Sequence, residues 1–198
     1  MNNKQRRQNY ATLGVNKQLN TKNRHEQDYY STPPAAVEHL LKYENFSKEI
    51  TEPAVGGGAI AEVLKRHGHT VHAIDIIDRG YPGTVIKDFL KYPHKINNDI
   101  ITNPPYNIQT EFVKKCINTT TGKTALLLKL QFLESIKRYK EIHSIKPPQR
   151  VYIFVKRIKC LKEHEHGTGE GGAVCYCWYI WNNRETQKNT IIKWIPNI

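Results

Sequence analysis

Acidic residues are scarce in this chain. Eighteen Asp and Glu stand against thirty Lys and Arg, which leaves a formal net charge of +12 over 198 residues. That imbalance points to an anionic partner, with nucleic acid first, although basic composition alone does not require one. Long apolar runs are absent: none approaches the roughly 20 residues that span a bilayer. The N-terminus is polar and basic, without an apolar signal segment, so a cytoplasmic location is the expectation. Cysteine is sparse. Cys116, Cys160, Cys175 and Cys177 include no Cys-x-x-Cys pair, which favours structural or free thiols over a disulfide or a metal site. His164 and His166 lie near Cys160, but Glu163, Glu165 and the neighbouring glycines read as a solvated loop, and no metal is expected. There is no internal repeat and no sign of a second domain. With 38% hydrophobic and 10% aromatic residues, the chain can bury one core.

Residues 1–28 carry almost no apolar side chains and are expected to form a flexible basic arm. Lys4, Arg6, Arg7, Lys17, Lys22 and Arg24 could contact phosphates there, or serve only solubility. Residues 29–198 read as one domain. Ser31 or Thr32, followed by Pro33 and Pro34, suggests a capped helix start, with Val37, Leu40 and Leu41 at helical spacing. Seven strands follow: Glu49–Pro53, Val71–Ile77, Thr84–Ile86, Asp99–Thr102, Ala125–Leu128, Val151–Val155 and Val174–Trp181. Helices are expected around Ile60–Leu64, stopped by Gly68, around Phe112–Ile117, and over Leu133–His143. The alternation predicts an α/β fold with helices on both faces of a mostly parallel, seven-stranded sheet. The last two strands would close it as a C-terminal antiparallel hairpin, because the loop between them is too short and polar for a packed helix.

Chemistry-bearing residues gather at the C-terminal ends of these strands, where open α/β sheets bind ligands. Glu52-Pro53-Ala54-Val55-Gly56-Gly57-Gly58 joins a strand to a helix through a glycine turn. No Gly-Lys-Ser/Thr completes it as a phosphate loop. A carboxylate beside such a turn suits a cationic amino group better than a pyrophosphate. Asp75, 23 residues after Glu52, has the spacing of a ribose-binding carboxylate. Asp88 and Phe89 end the third strand, an acid and a ring suited to an adenine amine and its face. Asn103-Pro104-Pro105-Tyr106 ends the fourth. Read alone, that tetrad is as much a turn as a site. Read with the others, it offers the Asn103 carbonyl and the Pro104 backbone carbonyl as two preset acceptors for an exocyclic amine, with Tyr106 as a stacking surface.

Over roughly residues 28–182 the chain resembles the S-adenosylmethionine-dependent N6-adenine DNA methyltransferases, especially compact phage-type ones. The resemblance rests on Glu52–Gly58, on Tyr30, Thr32 and Pro33, on Asp75 and Asp88, on the Asn103–Tyr106 motif, and on the aromatic segment Tyr176–Trp181. Glu52 stands where many members have Asp. The resemblance implies a Rossmann-like class I methyltransferase fold with S-adenosyl-L-methionine as cofactor. Tyr30, Thr32, Pro33, Glu52, Pro53, Gly56, Gly58, Asp75, Ile76, Asp88, Phe89 and Asn103 would bind it. Asn103, Pro104, Pro105 and Tyr106 would act on the N6 amine of an extruded adenine. An RNA adenine, a protein glutamine, or a non-catalytic accessory role are the alternatives. If the chain is phage-encoded, the host cytoplasm would be its location.

Only 14 residues separate Asp88 from Asn103, and only a short tail follows Trp181, so no separate target-recognition domain is expected. Lys137, Arg138, Lys140 and Lys162 are the candidates for nucleic-acid contact, with a homodimer or an accessory chain as possible help. The aromatic residues around Trp178 are expected to fill a core rather than touch a base.

Overall fold

A computed structural model describes residues 29–162, 172–186 and 188–197, with the side chain of Lys162 excepted. The proposed arm (residues 1–28) and the His164/His166 loop lie outside the described residues. Eight strands form one sheet, in the order β10-β7-β9-β6-β5-β2-β3-β4. They are β2 (Glu49–Glu52), β3 (Thr70–Asp75), β4 (Val85–Ile86), β5 (Asp99–Thr102), β6 (Lys123–Lys129), β7 (Arg150–Phe154), β9 (Tyr176–Asn182) and β10 (Ile191–Ile195). Helices α1 (Pro34–Tyr43), α2 (Ala59–Arg66) and α3 (Gln109–Thr119) pack against it. Among the described residues no helix is long and apolar enough to cross a membrane.

All seven strands read from the sequence are present. β9 runs antiparallel to both β6 and β7, as the hairpin expectation requires. It does not close the sheet, however. The segment expected to be a short tail contributes an eighth strand, β10, parallel to β7 on the outer edge. Two further strands, β1 (Tyr30–Ser31) and β8 (Leu161–Lys162), pair antiparallel in a small sheet of their own. The expected side-chain cap of α1 does not form. β1 holds the chain extended up to Pro33, α1 starts at Pro34, and Thr32 is buried in the site instead. The region expected as one helix over 133–143 divides into α4 (Ile136–Arg138) and a π-helical turn (Tyr139–His143).

Alternation along the central strands feeds two cores. Ala125, Leu127, Trp178 and Ile180 face α1 and α2, whereas Leu126, Leu128, Cys177, Tyr179 and Trp181 face α3. The indole N–H groups of Trp178 and Trp181 donate to the carbonyls of Ala36 (2.9 Å) and Lys146 (3.0 Å). Both rings therefore belong to the core and are not free to meet a base. At the opposite end of the strands, Glu44 is buried and accepts hydrogen bonds from Lys123 (2.5 Å), Arg150 and Tyr152 (2.8 Å), joining α1 to the sheet. Asp99 is fully buried and accepts from the backbone N–H groups of Ser47 and Lys123, each at 2.7 Å.

Candidate active site

The C-terminal ends of β2, β3, β5 and the segment after β4 converge with β1 on one cleft of about 880 Å³, measured out to its open mouth. Of the residues predicted to bind cofactor or act on substrate, Tyr30, Thr32, Glu52, Pro53, Asp75, Ile76, Asp88, Phe89, Asn103, Pro104, Pro105 and Tyr106 line it.

Glu52 ends β2 and is only 1% exposed. One carboxyl oxygen takes the backbone N–H of Ala61 in the first turn of α2, and the other, Oε2, has no partner. Burial, reinforced by the negative charge of nearby Asp75, pushes this carboxyl well above its usual range. A buried acceptor left unsatisfied in a cleft costs free energy that a cationic ligand would recover. Asp75 is tied at both oxygens, to the backbone N–H of Gly56 (2.8 Å) and of Ile77 (3.0 Å). These bonds hold its carboxylate in place at the cleft wall. Carboxylate oxygens carry further lone pairs, so hydroxyl donors can still be accepted. Ile76 beside it is 63% exposed, an apolar side chain at the cleft without a cover. Asp88 caps the short turn Phe89–Lys91 through the N–H of Leu90 (3.0 Å) and pairs with Lys91 (3.4 Å).

Asn103 ends β5. Its Nδ2 donates to the carbonyl of Tyr30 at 3.0 Å, while its Oδ1 is buried without a hydrogen-bond partner. The amide thus offers a free acceptor, fixed by a strand that is neither sequential nor in the main sheet. The ring of Tyr106 packs against Tyr30 (5.2 Å between centroids) and Tyr176 (6.1 Å), and burial pushes its hydroxyl far above the usual phenol range. Tyr176, first residue of β9, is thus the one ring of the aromatic strand that reaches the site.

Three residues expected to bind cofactor are not among those that line the cleft. Pro33 precedes α1 and is not at the cleft wall. Gly56 and Gly58 also lie outside the lining. They are needed because both adopt positive φ (55° and 85°), and because a Cβ would stand 2.1 Å from the Tyr29 ring at Gly56 and 2.0 Å from the Tyr81 ring at Gly58. The turn approaches tyrosine rings, not an open cradle. Sequence reasoning missed Tyr29, whose hydroxyl accepts from Gly57 N–H (3.0 Å), and Arg79, stacked on the Tyr29 ring. Phe112, read only as a helix residue, also lines the cleft, as does Ile108 just before that helix.

The basic candidates are less uniform. Arg138 donates to the carbonyls of Phe132 and Gln131 (2.9 Å each) and to that of Glu134, so its guanidinium braces the turn after β6. Lys137 pairs with Glu111 at 2.8 Å, and Lys140 is exposed. Lys162 belongs to β8, paired with Tyr30.

No known family model and no curated protein sequence matches the chain. Solved structures do. One is a Listeria monocytogenes protein assigned as a class I S-adenosylmethionine-dependent methyltransferase, at TM-score 0.58 and 12% identity, covering 81% of this chain and 63% of that one. The 23S rRNA methyltransferase ErmE matches at 0.54 and 15%, covering 78% and 69%. A modification subunit assigned to a type I restriction enzyme of Vibrio vulnificus matches at 0.56 and 9%, covering 78% and 44%. The chain therefore spans less than two-thirds of the Listeria and Vibrio proteins. What it shares with all three is the Rossmann-like class I methyltransferase fold.

Proposed function

We propose that this chain is an S-adenosyl-L-methionine-dependent methyltransferase acting on the N6 amine of adenine in DNA. The observation that carries the reading is the Asn103 amide, whose Nδ2 is held by Tyr30 and whose buried Oδ1 has no partner. An acceptor fixed beforehand, in a cleft, is what a weakly nucleophilic exocyclic amine needs.

The residues present fit the cofactor. The unpartnered Glu52 oxygen would take its ammonium group, Asp75 its ribose hydroxyls, and Asp88 with exposed Ile76 its adenine. When bound, the cofactor supplies an activated methyl group. The protein does the rest. Asn103 Oδ1 and the Pro104 carbonyl accept the two amine hydrogens, favour a pyramidal nitrogen and stabilise positive charge as it develops there. Tyr106 supports the extruded base by stacking, a contact worth roughly 1–3 kcal/mol. Orientation of the amine toward the cleft provides much of the acceleration. The fold shared with a restriction modification subunit and an rRNA methyltransferase is consistent with a nucleic-acid substrate, as is the net charge of +12.

Incubation with methyl-labelled cofactor and separate pools of duplex DNA, single-stranded DNA, RNA and protein tests the reading. Label recovered as N6-methyladenine from DNA supports it. Label confined to RNA moves the substrate while keeping the chemistry, and label on protein glutamine or on nothing overturns it.

A further inference from the structure

Lys129 ends β6, and its ammonium lies 4.7 Å from the centroid of the Tyr106 ring. Its cross-strand neighbour on β9 is Tyr176, which stacks on that same ring at 6.1 Å with the planes 30° apart. Tyr30 borders the ring at 5.2 Å. The backbone of Lys129 is fixed, since its carbonyl accepts the Tyr179 hydroxyl at 3.1 Å. Its side chain is held differently: among the described residues the ring contact is the only one its ammonium makes. Lys129 also stands outside the cleft that Tyr106 lines. Among the described residues this cation has no anion, and it rests on the aromatic surface outside the cleft.

We propose that Lys129 binds a backbone phosphate next to the target nucleotide and leaves the Tyr106 ring to do so. The inference rests on Tyr106 being the surface for an extruded base. A base that stacks there must displace something. Tyr30 and Tyr176 are anchored by strands β1 and β9, whereas the four-carbon stem of lysine moves freely. An entering strand brings a phosphate that can receive the released ammonium. Charge gives a second reason. Methyl transfer would shift positive charge onto the amine nitrogen, and an unpaired ammonium nearby would oppose it, while one neutralised by phosphate would not. In the absence of nucleic acid, Lys129 thus covers the aromatic face and keeps it accessible to a later occupant.

The test is a cycle between a side chain and a linkage. KM is measured with an oligonucleotide containing the site that the wild-type protein methylates, and with the same oligonucleotide carrying neutral methylphosphonate linkages flanking the adenine. For the wild type, neutralisation should raise KM about tenfold, the scale of one charge-assisted contact. Lys129→Gln should raise KM about tenfold on the natural strand and show no further loss on the neutral one. Lys129→Arg should recover the sensitivity to the linkage, and cofactor affinity should stay unchanged in both variants. Losses that simply add, or a Lys129→Gln protein indistinguishable from wild type, overturn the inference while leaving adenine methylation intact. A wild type that methylates no nucleic acid overturns the reading of Tyr106, and the inference with it.

Discussion

Asn103 donates Nδ2 to the Tyr30 carbonyl at 3.0 Å, and this contact decides which end of the amide faces the cleft. Replacing Asn103 by Ala removes the acceptor but leaves Glu52, Asp75 and Asp88 in place. Methyl transfer should fall by ~10²–10³-fold, the usual cost of one preset dipole, with cofactor affinity nearly unchanged. Single-turnover transfer and calorimetric cofactor binding on the same variant check both halves.

Glu52 should show opposite effects on stability and binding. Its carboxyl is raised well above the usual range by burial and by Asp75. A carboxyl raised on folding binds more protons folded than unfolded, so stability falls as pH climbs above the unfolded value and through the folded one. Glu52→Gln keeps an acceptor for the Ala61 N–H and removes the buried charge. It should stabilise the free protein at neutral pH, where about 1 kcal/mol corresponds to roughly 2–4 °C in Tm for a domain of this size. The same variant should lose cofactor affinity. In the wild type that affinity should rise with pH as Glu52 ionises. Thermal melts and a pH series of calorimetric titrations read these outcomes.

Glu44 behaves in the reverse sense. Burial opposes its ionisation, but hydrogen bonds from Arg150, Lys123 and Tyr152 outweigh it and hold its carboxyl below the usual range. That stabilisation is present above the unfolded value and is lost as pH falls through the folded one. Glu44→Ala leaves buried Lys123 without this partner and half-buried Arg150 with Glu185 alone, and should cost about 3 kcal/mol. Denaturant midpoints at pH 7 and pH 3 should differ less for the variant than for the wild type.

Gly58 has φ 85° and no room for a Cβ beside Tyr81. Gly58→Ala should destabilise by about 1–3 kcal/mol through strain at an αL position and displacement of the ring. Adding Tyr81→Ala should return part of that loss, because the clash goes and the strain stays. Equilibrium unfolding of the two single variants and the double variant separates the terms.

Much of this architecture was legible in the residues. Buried strands such as Ala125–Leu128 announce themselves because every side chain is apolar, and the acids at their ends mark the cleft. β10 was not legible, because Ile192 and Trp194 remain exposed on an open edge and so carry no burial pattern. Nor were β1 and β8: two residues per strand carry no period, and their partners lie about 130 positions apart in sequence. Gly56 and Gly58 show what spacing alone leaves out. A glycine turn shows that something comes close, and here it is Tyr29 and Tyr81. Arg138 looked available as a cation, but its backbone partners Gln131, Phe132 and Glu134 cannot be inferred from charge spacing.

The antiparallel β9 lies between β6 and β7, and every one of its seven residues is buried. Strand β7 therefore has no neighbour in the sheet until a segment some twenty residues further along has arrived. During synthesis, the region up to β6 can assemble early, while β7 waits with an unpaired apolar edge for β9, and β10 waits for β7. Assembly of this half of the sheet must then be a late event, set by the arrival of β9. Chaperone demand and aggregation in expression experiments should concentrate in that interval.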